Sequence, residues 1–194
     1  MTVVVAVLAA AVAAIGVRTT AHTDGGRRLW WLGGLLAGAA SALTQAASPV
    51  PAAPGLAAGG IVAAALVDVV EGRVPTLVAH AATAVSLVAL GAYAADRGEW
   101  GELLVGPVLF AALLVAGCTV LWLARAVGFG DVRLAAATVT AMVAGAEGLL
   151  LVVWGAFVVT GLAVVVLRLV GRGPKHLPFG PGLAVGWVVA ILLG

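Results

Sequence analysis

The chain has 194 residues, 63% hydrophobic and 9% charged, with a formal net charge of +2 and a mean hydropathy of +1.21. A soluble domain of this length needs more polar surface, so composition excludes an ordinary globular domain and implies an integral membrane protein. Basic charge in such a chain is first a topology signal and gives no reason to expect a nucleic-acid partner.

The first apolar run, "MTVVVAVLAAAVAAIGVR", lacks a basic n-region, and Arg18, Arg27 and Arg28 come after the apolar stretch. This layout predicts an uncleaved anchor with its N-terminus outside. A helix needs about 20 apolar residues to cross a bilayer. Eight segments are read as spans: 2–17, 29–47, 56–70, 76–95, 102–124, 132–146, 148–169 and 181–194. The sixth and eighth reach only about 21–23 Å at 1.5 Å per residue, so they stop short of one face or recruit flanking residues. The sixth and seventh are divided at "AGAEG" (144–148), because merged they are too long to cross once. The expected fold is all-α: a polytopic integral membrane protein of about eight transmembrane helices, forming one transmembrane domain over 1–194.

With the N-terminus outside, the cytoplasmic loops and their flanks hold Arg18, Arg27, Arg28, Arg73, Arg125, Arg133, Arg168, Arg172 and Lys175, and the outer loops hold Arg97 alone. That bias supports both the span count and the orientation. The single cysteine, Cys118, cannot form an internal disulfide or a cysteine-based zinc site. Gly34 with Gly38, and Gly182 with Gly186, have the GxxxG spacing of close helix packing.

Four acids fall near the cytoplasmic boundary: Asp24, Asp68, Glu71 and Asp131. Asp24 lies in a polar, arginine-bearing loop and reads as solvated. Asp68 follows "GGIVAAALV" near the end of the third span, where inserting a charge costs about 2.5–3.5 kcal/mol, so it is a functional candidate by default. Glu71 shares its helix face but lies nearer the loop, and it reads as an exposed acid. Asp131 stands in "GFGDVRLAA" (128–136), at the start of the sixth span. On local grounds it is a helix cap, with Gly128 and Gly130 allowing a tight turn and close approach. The parity of the spans puts it on the same membrane face as Asp68. Two carboxylates held close do not both ionise easily, so one keeps a proton. Such a pair can take a proton from water and give one to a carbonyl or leaving amine, which is peptide hydrolysis without a metal or cofactor.

These residues resemble a known family, the type IV prepilin peptidases, GxGD-type aspartic peptidases of bacterial membranes. Three ordered blocks carry the resemblance: "DVVEGRVPT" (68–76), "GFGDVRLAA" (128–136) and "LPFGPGLAVG" (177–186). It covers roughly residues 56–194. It implies that Asp68 and Asp131 are the catalytic pair. It also implies that Gly128, Gly130, Arg133, Pro178, Phe179, Gly180 and Pro181 shape the substrate cleft. The implied reaction removes the basic leader of a prepilin or pseudopilin at the cytoplasmic face of the bacterial inner membrane. Thr76 stands where the family often has Asn or Asp, and Gly182 where a bulky apolar residue is common. The loop after the first span is about ten residues and has no cysteine, which resembles the short peptidase-only members that lack the Cys-rich domain.

Each candidate also has a plainer reading. Arg73, Arg133 and Lys175 anchor helix ends at the interface. His80 bonds to a neighbouring helix. "PFGP" is a loop with Pro181 at a helix start. Two other function classes stay open on the residues alone: a small proton-coupled transporter using these acids as a relay, and a non-catalytic pilus-assembly subunit in which Asp131 is only a cap.

Overall fold

The computed structural model describes residues 2–47, 52–98, 100–124, 128–140, 146–169 and 179–193. Among them every regular element is a helix: α1 (Thr2–Thr20), α2 (Asp24–Arg27), α3 (Trp30–Ala47), α4 (Ala52–Glu71), α5 (Thr76–Arg97), α6 (Trp100–Leu123), α7 (Phe129–Thr140), α8 (Ala146–Leu169) and α9 (Phe179–Leu193). A helix stands at each of the eight apolar segments. Among the described residues, three stretches are long and apolar enough to cross a membrane: α1, the Pro54–Glu71 part of α4, and α5. Residues 141–145, which hold the first part of the expected division at 144–148, lie outside the described residues, and α8 begins at Ala146. The additional helix, α2, is a single turn capped by the Thr23 hydroxyl, which accepts from the Gly26 N–H at 3.0 Å. Asp24 in that turn is exposed, as a solvated loop acid should be.

Small residues make α4 the central helix. Ala57, Ala58, Ile61, Ala63 and Ala64 are fully buried, and α1, α3, α5, α7 and α9 all contact it. Gly59 lies against α1 so closely that a Cβ there would sit 2.6 Å from the Ala9 carbonyl oxygen. On another side Gly60 lies against α5, where a Cβ would sit 2.7 Å from that of Ala82. Neither position accepts alanine without movement. Between apolar helices such close approach is what dispersion and packing can exploit.

Both GxxxG pairs are packing seams. Gly34 and Gly38 of α3 face Ala10 of α1, with ordinary to tight spacing. The α8–α9 seam is tighter: a Cβ on Gly186 would lie 2.5 Å from the Val152 carbonyl oxygen, and one on Gly182 2.5 Å from that of Ala156. This explains the glycine at position 182, since α8 backbone occupies the space of a larger side chain.

α4 ends at Glu71 because Gly72 adopts φ +65°, a left-handed conformation that suits glycine. Its N–H closes the helix on the Asp68 carbonyl oxygen at 2.8 Å. The chain then turns through Arg73, Val74 and Pro75 directly into α5. Asp68 is thereby held one turn from the end of α4, beside a short and well-anchored loop.

Candidate functional site

α4, α7 and α9 contact one another in pairs, and each brings one component of the site. Asp68 comes from the last turn of α4. Asp131 comes from the first turn of α7. Gly180 comes from the first turn of α9. The two acids are each 5% exposed, and the Asp68 carboxylate is near enough to Asp131 to act on it electrostatically. Both acids are therefore buried where α4, α7 and α9 come together.

Gly180 donates its N–H to Asp68 Oδ2 at 3.1 Å. The first N–H groups of a helix have no partner inside it, and the positive end of the helix dipole suits a carboxylate. A side chain at 180 would displace the acid, because a Cβ there would lie 2.8 Å from Asp68 Oδ2. Phe179, in the same turn, is buried and meets Phe157 of α8 edge-on at 5.4 Å. Pro181 instead lines a groove with Leu66 and Val69 of α4. It is the third residue of α9 rather than the first, still within the turn that tolerates a missing N–H. Pro178 and Lys175 lie outside the described residues.

Asp131 differs in detail from the cap expected of it. The helix starts at Phe129, so Asp131 is its third residue, and its side chain reaches back: Oδ2 accepts the Gly128 N–H at 2.9 Å. This is the return arm of a capping box, with Gly128 at the N-cap position. Capping occupies one oxygen only. Oδ1 is buried and has no hydrogen-bond partner among the described residues, and a buried carboxylate oxygen without a partner is costly unless the site uses it. Neither flanking glycine has a positive φ, and of the two only Gly130 serves close approach, since a Cβ on Gly128 would make ordinary contact, 3.4 Å from Asp131 Oδ2. A Cβ on Gly130 would lie 2.7 Å from that of Val74, in the loop after α4.

Arg133 reaches neither acid. It donates to the Thr76 hydroxyl at 2.7 Å and stacks on Phe129, with 4.4 Å from the guanidinium carbon to the ring centroid. Thr76 thus ties the start of α5 to α7. Arg73 likewise turns away from the pair, pairing with Glu71 at 2.8 Å and donating to the Thr20 carbonyl oxygen. His80 is exposed and, contrary to the bonded histidine expected, makes no side-chain hydrogen bond among the described residues. Glu71 is the largest departure: far from a solvated acid, its side chain is 4% exposed and accepts from His22, Thr23 and Arg73. Its position at a helix end gave no hint of partners some 48 residues away.

An apolar recess of about 340 Å³ lies between α6, α8 and α9, with Phe179, Leu183, Phe157 and Cys118 in its wall. Phe179 neighbours Gly180, so the recess reaches the turn of α9 that holds Asp68. Among the described residues no three His, Cys, Asp or Glu side chains gather into a metal-binding group. No family model, curated protein or solved structure matches the chain.

Proposed function

We propose that the protein is a membrane-embedded aspartic endopeptidase that removes the basic leader from type IV prepilins or pseudopilins. The observation that carries this reading is that Asp68 and Asp131 are both buried on the contacting helices α4 and α7, one oriented by the Gly180 N–H and the other with an oxygen that has no hydrogen-bond partner among the described residues. In this reading the two carboxylates share one proton. The ionised member takes a proton from a water as that water attacks the scissile carbonyl. The protonated member supports the carbonyl oxygen, and a proton then passes to the leaving amine. Both acids have one oxygen held by a backbone N–H, which fixes their orientation without neutralising them.

The chain would cross the bacterial inner membrane eight times with its N-terminus outside, as the distribution of arginines supports. In this reading the pair would lie near the cytoplasmic face, where a basic leader resides. The apolar recess beside Phe179 suits the hydrophobic segment that follows a prepilin leader, while the scissile bond sits at the wetter end near the acids. A proton relay finds less support, because both acids belong to helix ends rather than to a path across the bilayer. A pure capping role for Asp131 leaves Oδ1 without explanation.

Co-expression with a cognate prepilin tests the reading. Wild type yields pilin shortened by its leader, whereas Asp68→Asn and Asp131→Asn leave the precursor intact at normal enzyme levels. Mature pilin from either variant would remove the assignment.

A further inference from the structure

The Glu71 carboxylate joins the turn after α1 to the end of α4 and the loop that follows it. Oε1 accepts from the His22 N–H at 2.7 Å, the Thr23 N–H at 2.8 Å and the Thr23 hydroxyl at 3.0 Å. Oε2 accepts from Arg73, at 2.9 Å from Nε and 2.8 Å from the terminal nitrogen. Arg73 in turn reaches the Thr20 carbonyl oxygen. The turn between α1 and α2 is thus fastened to the end of α4 and to the loop 72–75. Both Arg73 nitrogens meet the one oxygen Oε2 while Oε1 is held by the turn, and charge-assisted hydrogen bonds of this kind are stronger than neutral ones.

That loop is in turn the surface on which α7 rests. Val74 is buried and occupies the space beside Gly130, next to Asp131, where a Cβ would lie 2.7 Å away. Two residues later Thr76 accepts from Arg133 of α7. Asp68 is fixed to α4, and α7, which carries Asp131, meets α4 both directly and through this loop. The position of the loop therefore contributes to the separation of the two acids.

We propose that Glu71 is a positioning residue for the acid pair: by bracing Arg73 and the 22–23 turn, it holds Val74 and Thr76 where they seat α7 and so helps to fix the spacing of Asp68 and Asp131. The inference rests on the reading of these two acids as a working unit, but its test does not require peptide cleavage. The pair's apparent titration depends on its separation. It is followed by infrared spectroscopy of the full chain in nanodiscs, as the protonated-carboxyl band absent from the Asp131→Asn variant. Glu71→Gln and Arg73→Gln are compared with wild type.

A direct electric field would move the titration in opposite directions in the two variants, since one removes a negative and the other a positive charge. Loss of a common brace moves it in the same direction in both, by about half a pH unit or more. With a leader-bearing peptide, both variants lower kcat by about ten- to a hundred-fold, the scale of a displaced catalytic group, and leave KM within about two-fold. Arg73→Lys retains more of the rate than Arg73→Ala. Where Glu71→Gln fails to fold, Thr23→Ala, which removes one of the three contacts on Oε1, shows a smaller displacement in the same direction as Arg73→Gln. Opposite displacements, or a wild-type titration in folded Glu71→Gln, overturn the proposal. Wild-type protein that titrates as described but cleaves no leader contradicts the peptidase reading and leaves the bracing role to be judged by the titration.

Discussion

The α8–α9 seam and the junction of α4, α7 and α9 use glycine in the same way and to different ends. At the seam, Gly182 and Gly186 bring two apolar helices together, and the space of their missing side chains is filled by carbonyl oxygens of α8. At the junction, Gly180 also brings helices together, but the occupant of its space is a carboxylate, and its N–H is aimed at that carboxylate. Close approach is thus packing in one place and orientation of an acid in the other. The partner distinguishes them, not the motif.

This contrast can be broken by adding one methyl group at a time. The largest effect is expected from Gly180→Ala, whose Cβ would lie 2.8 Å from Asp68 Oδ2. The acid must move, and leader cleavage should fall by about a hundred-fold, with the melting temperature little changed. Single-turnover kinetics and a thermal melt on the same preparation check this. Gly186→Ala should show the reverse. Its Cβ meets unyielding backbone, the Val152 carbonyl oxygen at 2.5 Å, so stability falls by about 1–3 kcal/mol. Each molecule that stays folded should cleave at the wild-type rate. Equal effects of the two substitutions on rate and on melting would erase the distinction.

Arg133→Ala sharpens the picture on a smaller scale. It removes the bond to Thr76 and the stacking on Phe129, contacts that are partly solvated and worth about 1 kcal/mol. Denaturation should register that loss with a modest drop in cleavage. The smallest effect belongs to Gly161→Ala on α8, where a Cβ meets nothing within 4 Å. Melting should stay the same or rise slightly, because alanine favours helix over glycine by about 0.5–1 kcal/mol.

The helical segments were legible in the sequence because apolar length needs no partner to be recognised. Trp30–Ala47 and Thr76–Arg97 lie within one or two residues of the runs that announced them. The two acids were legible because a carboxylate beside an apolar run is costly wherever it lies. What composition and spacing could not carry were contacts fixed only by three-dimensional packing. Gly180 is one letter in "PFGP" until α9 places its N–H against Asp68. Glu71 reads as a wet loop acid until the turn after α1 folds over it. Asp131 reads as a cap or as a chemical group from its surroundings in sequence; one oxygen does cap, and the other has no hydrogen-bond partner among the described residues.

The central claim is that Asp68 and Asp131 work as one unit on one water. Single-turnover cleavage of a leader-bearing peptide by Asp68→Asn, Asp131→Asn and the double variant tests it most directly, since groups that act together do not contribute additively. The account predicts that all three fall to the same residual rate, within about three-fold. A single variant that keeps the wild-type rate, or losses that multiply in the double variant, would contradict it.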